Sequence, residues 1–319
     1  MGITRGVKSE AFMQLDKTAV TISQRSGTEL IDLSLLVFQR YWTSIFCLGF
    51  LGTFPFAIAN FILLWPLTQY DQLVMSSREL GDASAFQTRY LVIMTAAVLI
   101  QAPLALSGVT YFIGQAVFGD KPTLGNVLTA IWSRLGAITL IQGFVRMSIF
   151  VFVPLAFLYQ SPVFRPEIEI PLYLLCLCSY VFIVRGFRPF ALEILLLERC
   201  PIYINKNDKG RIAYRKRSYW LHSGLAFELF GMHMGVTIVE ILTALSISLS
   251  TLFLIGVLTG IWTWGPWMDL LFFPFILWGI ATWGTIIRFL NYMNSRIHTE
   301  GWEIELKLKA ESQRLLEVA

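Results

Sequence analysis

The stretch RGFRPFALEILLLER, residues 185–199, places five ionisable side chains, Arg185, Arg188, Glu193, Glu198 and Arg199, into or against a segment apolar enough to cross a bilayer. A charge at that depth costs at least about 2.5 kcal/mol unless it is paired or wetted. The rest of the chain must therefore be arranged to receive these groups. Pro189 adds an acceptor at the same level, because a proline has no N–H and frees the carbonyl of Arg185 from its usual helical bond.

Composition extends the membrane reading to the whole chain. Its 319 residues are 55% hydrophobic and 14% charged, with a mean hydropathy of +0.63, whereas soluble domains carry roughly 25% charged residues. Six apolar stretches, near 41–67, 90–118, 136–159, 170–198, 232–262 and 267–290, each approach or exceed the roughly 20 residues that a membrane helix needs. The sequence predicts an all-α polytopic membrane protein with six transmembrane helices. No apolar leader precedes a small-residue cleavage site in residues 1–25, so the first span is expected to act as its own insertion signal.

Orientation follows from the basic residues. Of 25 Lys and Arg, three (Arg78, Arg89, Arg165) fall in the segments 69–89 and 160–170, and three (Arg146, Arg185, Arg188) fall at membrane depth. The other 19 lie on the opposite side or in the tails, which predicts cytoplasmic termini and cytoplasmic loops at 119–135 and 199–231. Trp262, Trp264 and Trp267 flank the last outer turn like an aromatic belt. Each outgoing span is preceded by an amphipathic stretch: residues 28–40, led by a Ser26-x-x-Glu29 capping box, residues 122–135 with Arg134, and residues 211–230. These are expected to be interfacial helices on the cytoplasmic face. In the tail, Glu303/Lys307 and Glu305/Lys309 stand acid-first at i,i+4 and favour a helix. Strict alternation from Trp302 to Lys309 also fits a strand, and the helix formers from Ala310 onward support the helix.

Enzyme chemistry finds little footing. Only three histidines occur, His222, His233 and His298, and no phosphate loop, His-Glu-x-x-His or Gly-x-Ser-x-Gly pattern is present. Met232-His233-Met234 has Cu(I)-compatible donors but no second cluster. Cys176 and Cys178 are two apart on a helix and point to different sides. Neither a metal nor a cofactor is expected, and no disulfide framework is present among the four cysteines.

Two charge groups remain as candidate sites. The first is intramembrane: Arg146, Arg185, Arg188, Glu193 and Glu240. Arg188 and Glu193 lie within about 8 Å along one helix axis, so an Arg188–Glu193 coupling is expected, with Glu240 as the second acid. The group reads either as an ion-pair lock or as a polar cavity for an anionic substrate or lipid head group. The second is the basic loop: Arg199, Lys206, Lys209, Arg211, Arg215, Lys216 and Arg217. A juxtamembrane cluster of this size attracts anionic lipid at roughly 1 kcal/mol per charge, in addition to setting topology.

Three stretches, GTELIDLSLLVFQRYW (27–42), FGDKPTLGNVLTAIWSR (118–134) and YMNSRIHTEGWEIEL (292–306), together resemble the bacterial six-span membrane proteins grouped with the membrane domain of glycerophosphoryl diester phosphodiesterase. RPFALEILLLER (188–199) is similar to that family's fourth span. Asn294 and Glu303 depart from the aspartates common at those places. The catalytic barrel of the full-length enzymes, with its metal-binding Glu and His residues, has no counterpart here. The resemblance therefore implies a six-helix bundle with a cytoplasmic C-terminus and a non-catalytic role.

Taken together, the sequence divides into a polar N-terminal tail (1–25), a six-helix membrane domain (26–290) and a cytoplasmic C-terminal helix (291–319). Two functions stand open: a non-catalytic scaffold or subunit of a bacterial inner-membrane complex, and a transporter or lipid-handling protein with a charged intramembrane cavity. The expected partners are the bilayer, anionic lipid at the cytoplasmic face and another membrane protein, with no nucleic acid.

Overall fold

The computed structural model describes residues 25–74, 80–118, 122–146, 166–203, 212–260, 262, 265 and 267–301. Helix is the only regular structure among them. In chain order the elements are α1 (Gly27–Arg40), α2 (Trp42–Val74), α3 (Leu80–Ala105), α4 (Ser107–Ala116), α5 (Leu124–Trp132) and α6 (Leu135–Thr139), which widens into a π-helical turn at Leu140–Val145. There follow α7 (Pro166–Cys178), widening at Ser179–Arg185, then α8 (Ala191–Leu196), α9 (Tyr214–Ser223), α10 (Ala226–Thr259), and α11 (Phe273–Glu300) after a π turn at Met268–Phe272.

Five runs, Trp42–Pro66, Gln87–Ala105, Ile168–Arg185, Ala226–Thr259 and Met268–Glu300, are long and apolar enough to cross a membrane. Leu124–Trp132 and Leu135–Phe144, bent by 59° at their junction, make a sixth if the pair is one span. The chain is thus a helical, multi-pass membrane protein.

Two expected boundaries change. The third expected span, 136–159, opens with α6 and its π turn and is described only to Arg146, so 147–159 lies outside the described residues; α5 before it meets α6 at the 59° bend. The fourth does not run to 198 but stops at Arg185 and resumes as α8. Proline at 189 cannot donate the bond that would carry the helix through, and its ring crowds the preceding turn. The last helix does not end at 290. No breaker occurs before Gly301, whose φ of 69° closes the helix in the left-handed region. The tail from Trp302 onward and the N-terminal segment before Arg25 lie outside the described residues, as do Trp264 and the segments near Ser77 and Pro162.

α11 is the central post and packs on α1, α2, α3, α4, α9 and α10. Its buried face carries Trp278, Ile286, Phe289, Leu290 and Tyr292. α1 is fixed to it in two places. Trp283 Nε1 donates to Ser34 Oγ at 2.8 Å, and the Asn294 amide both accepts from Arg25 N–H (3.0 Å) and donates to Arg25 O (3.2 Å). A carboxylate could do only the first of these, so Asn294 has a physical reason to be an amide. The Ser26–Glu29 capping box is formed, with Ser26 N–H donating to Glu29 Oε2 at 3.2 Å.

α2 lies along α3, joined at mid-helix by the reciprocal Asn60–Gln101 amide pair (2.9 and 2.8 Å). Between helices in lipid, polar side chains and small residues supply cohesion that hydrophobicity cannot. Gly52 shows the small-residue half: a Cβ there would sit 2.0 Å from the carbonyl oxygen of Ala105. Because that atom is backbone, the helices themselves must move. Gly52→Ala is expected to destabilise the protein in mild detergent by about 1–3 kcal/mol, whereas Gly279→Ala, with nothing within 4 Å, should be neutral or slightly stabilising. Equal thermal stability of the two variants would contradict the close approach.

α10 is the outlying helix. Ile241, Leu245, Leu249 and Phe253 are exposed on the described chain, as expected for a face turned to lipid or to another protein.

Candidate functional site

The break at residues 186–190 leaves carbonyls without helical partners, and an arginine from another region supplies the donor. Arg146, at the end of the π turn that follows α6, donates through Nη2 to the carbonyls of Val184 (3.1 Å) and Arg188 (2.6 Å) and through Nη1 to Gln142 Oε1 (3.4 Å). Helix ends orphan their last carbonyls, and a guanidinium with five N–H donors can bridge two of them. Arg185 reaches the other way, to α3, where its Nη1 donates to the carbonyl of Leu99 at 3.2 Å. That oxygen is free because residue i+4 is Pro103, inside α3. Pro103 inside α3 thus creates the acceptor for Arg185, and the break around Pro189 exposes those that hold Arg146.

Carboxylates enter from the other side. Glu193 on α8 is fully buried and accepts from Arg288 Nε of α11 at 2.7 Å. Arg288 Nη2 and Glu193 Oε2 have no hydrogen-bond partner. Glu240 on α10 makes no ion pair among the described residues. Its carboxylate lies against α11 at Gly284, where a Cβ would meet Glu240 Oε1 at 1.9 Å. Glycine is what lets the acid approach the helix backbone. His233 Nε2 bonds to the carbonyl of Val181 at 3.1 Å; a carbonyl only accepts, so the proton is on Nε2.

Arg185, Arg288, Glu240, His233 and Asn291 line one cavity of about 300 Å³ between α3, α7 with its π turn, α10 and α11, together with apolar side chains such as Val98, Leu174, Val236 and Leu277; Arg146 and Glu193 do not line it. A small apolar volume with a few convergent polar groups is the general form of a ligand site.

The structure redistributes the expected pairings. Glu193 is bonded to Arg288, not to Arg188, which is exposed and offers only its carbonyl to the cluster. Arg146 is held by carbonyls and Gln142, not by Glu193 or Glu240. Arg185 and Glu240 do line one cavity. Arg288, counted with the tail by charge distribution, lies inside the last long apolar helix and is paired with Glu193. Arg89, assigned to an outer segment, is buried in a bidentate pair with Glu169 of α7 (2.8–3.1 Å).

The basic loop also divides. Arg199, Arg215 and Lys216 are exposed; Lys206, Lys209 and Arg211 lie outside the described residues. Arg217 is buried and differs in kind: it pairs with Glu198 (Nη2 to Oε1, 2.7 Å) and with Glu300. Burial opposes its charge, but hydrogen bonds and the fields of Glu198 and Glu300 push its guanidinium above the ordinary range. Glu198 also accepts from Tyr292 OH at 2.6 Å, and Arg296 binds Glu300 at 2.7 Å. This network ties the segment after α8, α9 and the end of α11 together.

His222 on α9 adds a pH dependence. Its ring stacks on Phe190 with centroids 5.2 Å apart, Nδ1 donates to the carbonyl of Ser218 at 2.6 Å, and Nε2 has no partner. Burial, with help from Arg146 and Arg188, pushes its pKa down to about 4. The unfolded chain, at the ordinary 6.5, then binds the proton first. Stability from this residue is present above pH 6.5 and lost as pH falls towards 4, by up to about 3 kcal/mol. His222→Phe should keep the stack and flatten thermal stability over that window; an unchanged slope would assign the loss elsewhere.

Among the described residues no group of three or more His, Cys, Asp or Glu converges as metal ligands do. No family model matches the chain, and neither the curated proteins nor the solved structures compared contain a match.

Proposed function

We propose that this protein is a non-catalytic, six-span protein of the bacterial inner membrane that holds an anionic amphiphile, a lipid-like molecule, in the cavity between α3, α7, α10 and α11. One observation carries the reading: a largely apolar cavity is lined by Arg185 and Arg288, where Arg185 makes no ion pair among the described residues and Arg288 keeps an unused Nη2. Three guanidiniums (Arg146, Arg185, Arg288) gather around two carboxylates (Glu193, Glu240), so the region favours a negatively charged guest. A head group would meet the guanidiniums, and an acyl chain would fill the apolar part.

The six-span count takes the third span to start at α6, with α5 as the interfacial helix at its foot, in keeping with the resemblance noted for residues 27–42, 118–134 and 292–306. Cytoplasmic termini follow from the distribution of basic residues. Ser218 is buried, so Ser223→Cys is the better inner probe, with Trp262→Cys outside; labelling of the first by an impermeant reagent in intact cells would reverse the orientation.

The function is tested by purifying the chain in mild detergent and analysing co-purifying lipid by mass spectrometry. Retained anionic lipid should fall at least fivefold in Arg185→Gln, and also in Ala281→Phe, which fills the cavity without touching a charge. Equal lipid content in all three proteins, each folded by its melting profile, would refute the reading.

A further inference from the structure

A second pocket, of about 340 Å³, lies apart from the cavity, between α4, α5 and the segment after α8. It is lined by Tyr111, Asn126, Thr129, Ser133, Arg134 and Arg199, with Ala130 and Leu196. Neither Arg134 nor Arg199 forms an ion pair among the described residues. Thr129 and Ser133 spend their hydroxyl protons on the carbonyls of Gly125 and Ala130, each at 2.8 Å. The groups left to donate into the pocket are the two guanidiniums, the Asn126 amide and the Tyr111 hydroxyl.

Arg199 is also the one non-glycine residue with positive φ among the described residues, at 53°. It follows α8 where a helix-closing glycine would normally stand, and the adjacent Cys200 N–H closes on Ile194 O at 3.4 Å. An L side chain is strained there, and such strain persists where the surroundings or a function require it. Retaining arginine in a glycine position points to a use for the guanidinium.

The opposite face of α5 indicates the setting. Leu124, Leu128 and Trp132 stand at i, i+4 and i+8 and are 50%, 48% and 80% exposed. A helix with such a stripe lies in the interface with its apolar face in the acyl boundary, which brings its polar face to head-group level. From this juxtaposition we infer that Arg134 and Arg199, with Asn126 and Tyr111, form a binding site for a phosphate monoester, carried by an acidic lipid or by a small soluble ester. Two guanidiniums suit the double charge and the multiple acceptor oxygens of such a group. The site is independent of the intramembrane cavity and shares none of its residues.

The position of Arg199 provides a variant that separates binding from folding. Arg199→Gly removes the guanidinium while relieving the backbone, so its thermal stability should equal or exceed that of the parent chain. The full-length protein in neutral-lipid nanodiscs is titrated by calorimetry with dioctanoyl phosphatidic acid, glycerol 3-phosphate and uncharged dioctanoylglycerol. The parent should bind a phosphate probe at least tenfold more tightly than Arg199→Gly or Arg134→Gln, and should not bind dioctanoylglycerol. Preference for phosphatidic acid over glycerol 3-phosphate identifies a lipid; equal affinity identifies a soluble ester. Arg185→Gln, titrated in parallel, should retain this binding, so failure of the cavity and failure of this site are distinguishable. Unaltered phosphate affinity in Arg199→Gly, or no phosphate binding by the parent, overturns the assignment.

Discussion

Glu193→Gln is expected to lower stability in mild detergent by about 3–5 kcal/mol, because it leaves Arg288 charged and without its carboxylate in a site that excludes water. Glu193 is fully buried and bonded to Arg288 Nε at 2.7 Å. Adding Arg288→Gln should recover a large part of the loss, since the pair then becomes two neutral amides. Adding Arg188→Gln should recover nothing, because Arg188 is exposed and only its backbone joins the cluster. A denaturation series on the three single and two double variants reads this directly, and the coupling energy is the departure from additivity. Rescue by Arg188→Gln in place of Arg288→Gln would mean that the pairing described here is wrong.

The second large effect is expected at the opposite end of the bundle. Arg89 on α3 and Glu169 on α7 form a bidentate pair that is almost wholly buried. Arg89→Met takes from the buried Glu169 carboxylate its bidentate partner and should cost about 3–5 kcal/mol. Arg89→Met with Glu169→Leu removes both charges and fills the space with apolar side chains, a change that is often neutral or stabilising. The double variant should therefore melt within a few degrees of the parent, well above the single one. If the two substitutions cost the same separately and their losses add, the residues are not coupled.

Much of the architecture could be read from the residues because it depends on local rules. Apolar length located the long helices, the Ser26–Glu29 spacing formed its capping box, and Pro189 marked a freed carbonyl. What escaped depends on distant partners. Arg288 sits at the end of a predicted span and was grouped with the tail; its acid is 95 residues away, and no spacing rule spans that distance. Arg146 and Arg185 looked for carboxylates, but the structure gives them carbonyls. Pro103, four residues after Leu99, carries the signal for one of these acceptors, but which arginine reaches it depends on how distant helices pack. In the run Arg215-Lys216-Arg217, helical geometry turns one residue inward to Glu198 and Glu300 and leaves two exposed. Sequence alone does not say which.

The exposed apolar face of α10 could dock a partner of a scaffold, but lipid covers it equally well; the cavity offers a specific chemistry. Its most direct measurement is a density map of the protein in lipid nanodiscs at a resolution that shows side chains. An elongated density is predicted between α3, α7, α10 and α11, its head within hydrogen-bond distance of Arg185 and Arg288 and its tail among Val98, Leu174, Val236 and Leu277. A cavity that is empty, or one continued by ordered water to both faces, would contradict the account, and the continuous water path would favour a transporter instead.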